Sequence, residues 1–409
     1  MYGRRRPRPH PQIEASEDGV RSPAVTEYLP FNDDMLREIL LRLPPQPSSL
    51  LRASAVCKRW RSLVTDTKFV SLFRAHHRKP PLLGLFEASG KGMAFKSILD
   101  PPDRFPPQRF NLACHSGVRG HYLLDCRHGC LLLKAWAKEE VFVCDPMTGQ
   151  RRRLVAPPEF VRGQTKGAVL CTAGDHGHVH GGCHLSSYKV VLVSSDKRPV
   201  ACVYSLETGQ WGNLIPTKFP CEIYDVGTTA ATLVGNVLYW LFKADTNTLA
   251  SDRILAFDLD RQSLAVTVGP PVTNGFFGGH RKIVKAADGA VGFAILSNYC
   301  FQMWQKNVTG QGGAIWMPLK TIEMHNILGL SRQIGEERCN IPLLGYDEDN
   351  DVIFVHASHN VYAVQLKSMQ SKKLYGTNCT NPIHPFTSFY TPGTSINGGS
   401  NGAEMLHNT

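Results

Sequence analysis

Two changes of pattern along the chain predict an α+β multidomain protein: a small N-terminal three-helix unit followed by an all-β propeller of about six blades. Between residues 33 and 76 apolar side chains recur at helical spacing. After the "HHRKPP" junction they alternate at strand spacing, in short runs divided by Gly, Asp, Asn and Pro turns. These runs repeat in units of roughly fifty residues, the range of propeller blades rather than solenoid turns. The expected division is a disordered basic tail over 1–27, helices over 28–78, the propeller over 80–391 and a disordered Gly/Ser/Asn-rich tail over 392–409.

The first helix is read from "LPFNDDMLREILLRLPP", where Leu36, Ile39, Leu40 and Leu43 stand at i, i+3, i+4 and i+7. Asn32 or Asp33 can cap its start, and Pro44 with Pro45 stops it. The second is "LRASAVCKRWRSLV", residues 51–64, with Ser48 or Ser49 as its cap. On one continuous helix Ala53, Val56, Cys57, Trp60, Leu63 and Val64 share an arc of roughly 120°, and Arg52, Lys58, Arg59 and Arg61 fall outside it. A third helix, "KFVSLFRAHH", aligns Phe69, Leu72, Phe73 and His76. A unit of about fifty residues hides too little apolar surface to be secure alone and usually needs a metal, disulfides or a partner. With Cys57 as its sole cysteine, staples are excluded, so part of the apolar arc is expected to face another protein.

Leu29-Pro30, Asp33-Asp34, Leu36, Ile39-Leu40, Arg42-Leu43-Pro44 and the run "VCKRWRSLV" from Val56 to Val64 together resemble an F-box, over residues 28–76. Phe31-Asn32 lengthens the usual opening, and "PPQPSS" is a proline-rich connection. The resemblance implies docking on a Skp-type adaptor and, through it, a cullin scaffold. Leu29, Pro30, Leu36, Ile39, Leu43, Leu51, Val56 and Trp60 would then face the adaptor or shape the surface that does. For Trp60, core and contact both stay open.

In the remaining three hundred residues each unit has one grammar: a buried strand, a turn, a second strand, a polar turn often containing Thr-Gly-Gln, and a return strand. "GCLLLKA" leads to "VFVCDPMTGQRRRL", "YKVVLVSSD" to "ACVYSLETGQWGNL", and "GNVLYWLF" to "ILAFDLDRQSLAVT". "GAVGFAILS" and "NDVIFVHAS" open two more, so the leading strands begin near positions 130, 188, 236, 290 and 352. A degenerate first unit is read in "PLLGLF" and "GMAFKSIL", and "HPFTSFYTP" is placed to complete it and close the ring. The phrases "VFVCDPMTGQ", "VGNVLYWL", "FQMWQKN" with Trp316, and "TSFY" resemble the domains that follow F-boxes in plant proteins, notably grasses. That resemblance implies a substrate-recruiting domain. The pattern change near residue 80 predicts separate cores for the helices and the propeller.

The composition is that of a folded globular chain, 42% hydrophobic and 19% charged over 409 residues. No apolar run approaches the eighteen or so residues of a membrane span, and "MYGRRRPRPHPQ" lacks the apolar segment of a signal peptide. The expected location is therefore cytoplasmic and/or nuclear. Twelve cysteines without a CxxC pair read as reduced, mostly buried small residues. Net charge is +11, and the arginines of the tail read as a solvated arm.

Catalytic signatures are weak. "GLFEASGKG" is one residue too long for a Walker loop and has Gly92 where Ser or Thr must hold magnesium. No GxSxG elbow between a strand and a helix is read, and no HExxH motif occurs. The densest cluster is "CTAGDHGHVHGGCH", with Cys171, Asp175, His176, His178, His180, Cys183 and His184. Imidazole and thiolate are zinc ligands, but the spacing matches no common zinc module, and the stretch reads as a Gly-flanked surface loop without metal. On that reading, replacing His176, His178 and His180 with Ser shifts melting little.

The expected function is the substrate-recognition subunit of a Skp–cullin–F-box ubiquitin ligase. It has no catalysis and no cofactor of its own, and its partners are a Skp-type adaptor, a cullin scaffold and an unknown protein substrate. Neither a membrane nor nucleic acid is expected as a partner. The alternatives are a basic nucleic-acid-binding propeller, or a metal-dependent enzyme using the His-rich loop.

Overall fold

The computed structural model describes residues 33–391, apart from 90–91, 111–120, 136–137, 162–164, 174–177, 184, 195–197, 220–222, 226–229, 244–251, 272–280, 298–299, 309–313 and 330–340. Leu29, Pro30, Asn32, Asp175, His176, His184 and both tails lie outside the described residues.

Four helices open the fold: α1 (Asp33–Leu41), α2 (Pro47–Val56), α3 (Lys58–Thr65) and α4 (Thr67–His77). The helix expected over 51–64 is thus two, because Cys57 is fully extended at φ −161° and ψ 170°. An unbroken helix from Pro47 to Thr65 would be about 28 Å long and would carry one end out of so small a core. The break lets Leu50 and Ala53 of α2 share one cluster with Leu63 and Val64 of α3, Leu36 and Leu40 of α1, and Phe69 and Phe73 of α4. It also takes Val56 off the expected arc and leaves it 61% exposed. Asp66 caps α4, its carboxylate accepting the Phe69 N–H at 3.0 Å. The expected Ser48 or Ser49 cap is replaced: α2 begins after Gln46 without a side-chain cap, and the Ser48 N–H donates to Asp103 Oδ1 at 2.7 Å. A distant carboxylate thereby serves the positive end of this helix.

Six antiparallel sheets follow, arranged as propeller blades. The first blade contains β1 (Leu82–Ser89) and β2 (Gly92–Ser97). The second is β3 (His121–Arg127), β4 (Cys130–Ala135), β5 (Glu140–Cys144) and β6 (Arg151–Val155). In the third, β7 (Thr165–Cys171), β8 (Tyr188–Ser194) and β9 (Val200–Ser205) are edged by β10 (Gln210–Trp211) and β11 (Ile215–Pro216). The fourth has the short inner strands β12 (Tyr224–Asp225) and β13 (Thr232–Val234), then β14 (Val237–Lys243), β15 (Asp252–Asp258) and β16 (Ser263–Val268). The fifth is β17 (Arg281–Lys285), β18 (Val291–Ser297), β19 (Cys300–Val308) and β20 (Ala314–Glu323). The sixth is β21 (Leu343–Asp347), β22 (Val352–Ala357), β23 (Asn360–Gln365) and β24 (Ser371–Gly376).

The last strand, β25 (Ile383–Thr387), pairs antiparallel with β1, with Phe86 opposite His384 and Leu82 opposite Thr387. The C-terminal segment therefore supplies the inner strand of the first blade and closes the ring, as the "HPFTSFYTP" reading expects. The leading strands read from sequence are β4, β8, β14, β18 and β22, which are second in their blades. The inner strands escaped notice because polar residues such as Asp125, Lys166, Lys282 and Asp347 interrupt their apolar pattern.

Among the described residues a separate buried cluster lies between each pair of neighbouring blades. Examples are Leu132 and Val143 against Val190 and Leu192, and Trp240 and Phe257 against Val191. A polar knot ties the inner strands together as well. Arg127 donates from Nη1 to Asp125 Oδ2 at 2.8 Å, from Nε to Glu348 Oε1 at 2.6 Å and from Nη2 to the Ala231 carbonyl at 2.9 Å. The Leu233 N–H donates to Glu348, and the Val169 N–H to Asp125, so four blades share one buried cation and two carboxylates. Burial, working against Arg127, pushes the Asp125 carboxyl up to about 6. Glu348 feels the same push, but Arg127 holds it below its ordinary value.

The expectation of separate cores is corrected. Phe389 and Val179 of the propeller belong to the cluster of the helices, and Leu51 of α2 packs on the cluster between the first two blades. A helical unit this small completes its core on its neighbour.

Two outcomes are expected. Ending the chain after Gly376 removes β25 and bares the edge of β1, so this truncation should aggregate where the full chain is soluble. Replacing Arg127 with Met strands two buried carboxylates and should cost about 3–5 kcal/mol, read as a fall in melting temperature. Without the cation both carboxyls have folded-state pKa values above their unfolded ones. The deficit of the variant should therefore shrink as pH falls from 7.5 towards 5, and a deficit that grows in acid would contradict this account.

Candidate functional site

The inner strands β3, β7, β13, β17 and β21 run the same way along the central channel, together with β25. One mouth of the channel lies where these strands begin and the other where they end. At the ending mouth stand Arg127, Cys171 and Glu348, and the connections there are mostly tight hairpins, such as His128-Gly129 between β3 and β4. One connection breaks that rule: residues 172–187, between β7 and β8, hold the His-rich stretch.

The helices sit on this ending face. The Ser388 N–H donates to the Pro81 carbonyl at 3.2 Å, and the Phe389 N–H to the Gly181 carbonyl at 2.8 Å. Ser388 Oγ donates to the same Gly181 oxygen at 2.9 Å, and Phe389 enters the helical core. Arg74 of α4 points at the Gly182 carbonyl, 3.5 Å away. Glycine is needed at 181, which has φ +96° and lies against Pro80, while at Gly182 an added Cβ would displace the Arg74 guanidinium.

The described part of the His-rich stretch, residues 178–183, is therefore packed under the helices, and for these residues the projecting surface loop expected from sequence is corrected. Cys171, at the end of β7, meets His178, His180 and Cys183, and their ligand atoms all lie within 4.8 Å of one another. His178 Nε2 is 3.3 Å from each sulfur, and His180 Nδ1 is 3.8 Å from Cys183 Sγ. A hydrogen bond from Cys183 brings the Cys171 thiol down to about 7, while that same bond, with burial, pushes Cys183 up to about 11. The ring of His180 stacks on buried His128 at 3.6 Å, and His128 Nδ1 accepts the Cys171 N–H at 3.1 Å.

The residues expected at an adaptor surface fall into three groups. Leu36 is buried at 4% exposure, and Leu43 and Trp60 are half-buried against the same cluster. Leu51 is turned towards the propeller. Ile39 and Val56 are exposed, at 46% and 61%. Met35 and Leu72, which helical periodicity did not single out as contacts, are exposed too. Met35 and Ile39 stand one turn apart on α1, so they share a face.

At the beginning mouth the chemistry is cationic. Lys166 of β7 and Lys282 of β17 are near enough to interact, and burial together with Lys166 brings the Lys282 ammonium down to about 8. Burial and Lys282 bring His384 down to about 3. The connections between blades, 156–164, 269–280 and 324–342, leave from and return to this face.

A helical unit that leaves several apolar side chains exposed, seated on a closed six-bladed ring, defines the class of F-box proteins with an associated propeller. Residues 30–72 match the F-box domain, and residues 122–393 match the family described as F-box protein AT5G49610-like, beta-propeller. The chain belongs to this family of plant F-box propeller proteins. It is similar to F-box protein At5g49610 of Arabidopsis thaliana, 23% identical over 378 residues covering 88% of this chain and 97% of that one. F-box/kelch-repeat protein At3g61590 of the same plant is 24% identical over 239 residues, covering 56% of this chain and 55% of the relative. F-box/kelch-repeat protein At2g43270, also of Arabidopsis thaliana, is 26% identical over 217 residues, covering 51% and 96%.

Burial sorts the F-box leucines by task, and stability measurements can check the sorting. Leu36→Ala should cost about 2–5 kcal/mol as a core truncation. Ile39→Ala should change stability by about 0.5 kcal/mol or less. Equal drops in melting temperature would show that Ile39 is covered within the chain.

Proposed function

We propose that this chain is the substrate-recognition subunit of a Skp–cullin–F-box E3 ubiquitin ligase, working in the cytoplasm or nucleus without chemistry of its own. The observation that carries this reading is the set of apolar side chains left uncovered on the F-box, Met35, Ile39, Val56 and Leu72, after its core has been completed on the propeller. A Skp-type adaptor covers them and links the chain to a cullin scaffold. Leu36, Leu43 and Trp60 support that surface from beneath. Leu29 and Pro30 keep the place that the F-box resemblance assigns them. Catalysis is by proximity: the ring holds a target protein where its lysines meet the conjugating enzyme at high effective concentration.

The target is received at the mouth away from the helices, where half-buried Lys282, with buried Lys166 beside it, favours an acidic segment and the blade-to-blade connections supply surface. This leaves the ending face to the F-box and keeps the two partners apart.

The test is capture of a purified Skp-type adaptor by the full chain. Ile39→Asp with Val56→Asp places charge in the apolar contact and should abolish capture with little change in melting temperature, because both positions are exposed. Capture undiminished by the folded double variant would overturn the adaptor assignment. For the other mouth, Lys166→Glu with Lys282→Glu should keep adaptor capture and lose co-purifying proteins that the Ile39→Asp, Val56→Asp variant retains. Their retention by both variants would remove the target from that mouth.

A further inference from the structure

We propose that Cys171, His178, His180 and Cys183 form a structural zinc site that clasps the F-box to the propeller. Two thiols and two imidazoles are a complete tetrahedral donor set for zinc. With Zn–S near 2.3 Å and Zn–N of about 2.0–2.1 Å, a tetrahedral ion holds sulfur and nitrogen about 3.5 Å apart. The separations of 3.3, 3.3 and 3.8 Å between these sulfurs and nitrogens are already of that size. The four donors converge, with all ligand atoms within 4.8 Å of one another, although the residues span a connection between two strands. Cysteines and histidines merely exposed on a loop have no reason to point inward together.

The surroundings fit a held ion. Cys171 is anchored in the β7–β8 ladder opposite Tyr188, so one ligand belongs to the rigid sheet. His180 is steadied by its stack on His128. Cys183 opens a turn in which Ser186 donates both its N–H, at 3.1 Å, and its Oγ, at 2.7 Å, to the Cys183 carbonyl. Support of this kind is what orients metal ligands. Four filled positions leave none for a substrate, so the site is structural rather than catalytic.

Its place in the fold gives the site a task. Between the ligands lie Val179, packed on the helical core, Gly181, which accepts from Ser388 and Phe389, and Gly182, which faces Arg74. These are among the contacts through which the helices rest on the ring. An ion joining His178, His180 and Cys183 to Cys171 of β7 shortens the loop that must be closed and fixes those contacts. The orientation of the F-box relative to the channel then depends on zinc.

The full chain, purified without added metal or chelator, should contain about one zinc per chain by atomic emission, as a closed tetrahedral site predicts. Cys171→Ser with Cys183→Ser should lose that zinc, as should His178→Ala with His180→Ala. Should these variants fold poorly, the wild-type chain stripped with a zinc chelator and refilled with cobalt should show the visible absorption of tetrahedral cobalt with thiolate ligands. Stripping should also lower the melting temperature, hasten proteolysis in the Lys79–Pro81 connection and speed hydrogen exchange at the Phe389 amide. Absence of zinc from the native chain together with no tetrahedral cobalt spectrum would overturn the proposal. So would zinc retained by both double variants, or a Cys171–Cys183 disulfide in the native chain. None of these readings depends on adaptor capture, so the metal site and the ligase role stand or fall separately.

Discussion

The backbone from Ile383 to Thr391 is shared by three structures at once. As β25 it pairs with β1 and turns an open row of blades into a ring. Its continuation, Ser388 and Phe389, grips the Gly181 carbonyl and the Pro81 carbonyl. The Phe389 side chain then fills the core of the helices. A small helical unit cannot hide enough apolar surface by itself, and a row of blades cannot satisfy its own edges. The same residues meet both needs, and the position of every other part follows from that meeting.

Because the strand that closes the ring also seats the F-box, the two faces of the propeller acquire different roles. The face at which the inner strands end carries the helices, the α2 terminus served by Asp103, and the one long connection among tight hairpins. The face at which they begin carries Lys166 and Lys282. The Arg127 knot sits at the ending mouth, holding four blades in register with one cation and two carboxylates. A buried charge cluster of that kind contributes geometry more than net stability, because desolvation offsets most of its attraction.

How much was legible follows from which residues carry local signals. Local apolar pattern and turn chemistry mark an element wherever burial is on one side and neighbours are close in sequence. That is why the second strands of the blades, the turns after Asp145 and Ser205, and the existence of the F-box helices can be read directly. The inner strands could not be read so easily. Asp125, Arg127 and Lys166 look like surface residues, and their burial is tolerable only because partners or supporting contacts come from other elements.

Periodicity along one helix likewise placed Val56 with Leu63, and the extended Cys57 separates them. That break serves packing among four helices, which no single stretch encodes. Leu36 and Ile39 stand three residues apart on one helix, yet one is core and the other exposed, a distinction set by what α2, α3 and α4 cover. For the His-rich stretch, spacing shows the donors but says nothing of their convergence. The placement of β7 under the helices, and the closing strand beside Gly181, bring Cys171 within reach of His178 and Cys183. Composition and pattern thus specify two folded units and their kinds. Which faces meet, which side chains stay uncovered and which donors share one point are set by contacts between residues far apart in the chain, whose energies local sequence does not contain.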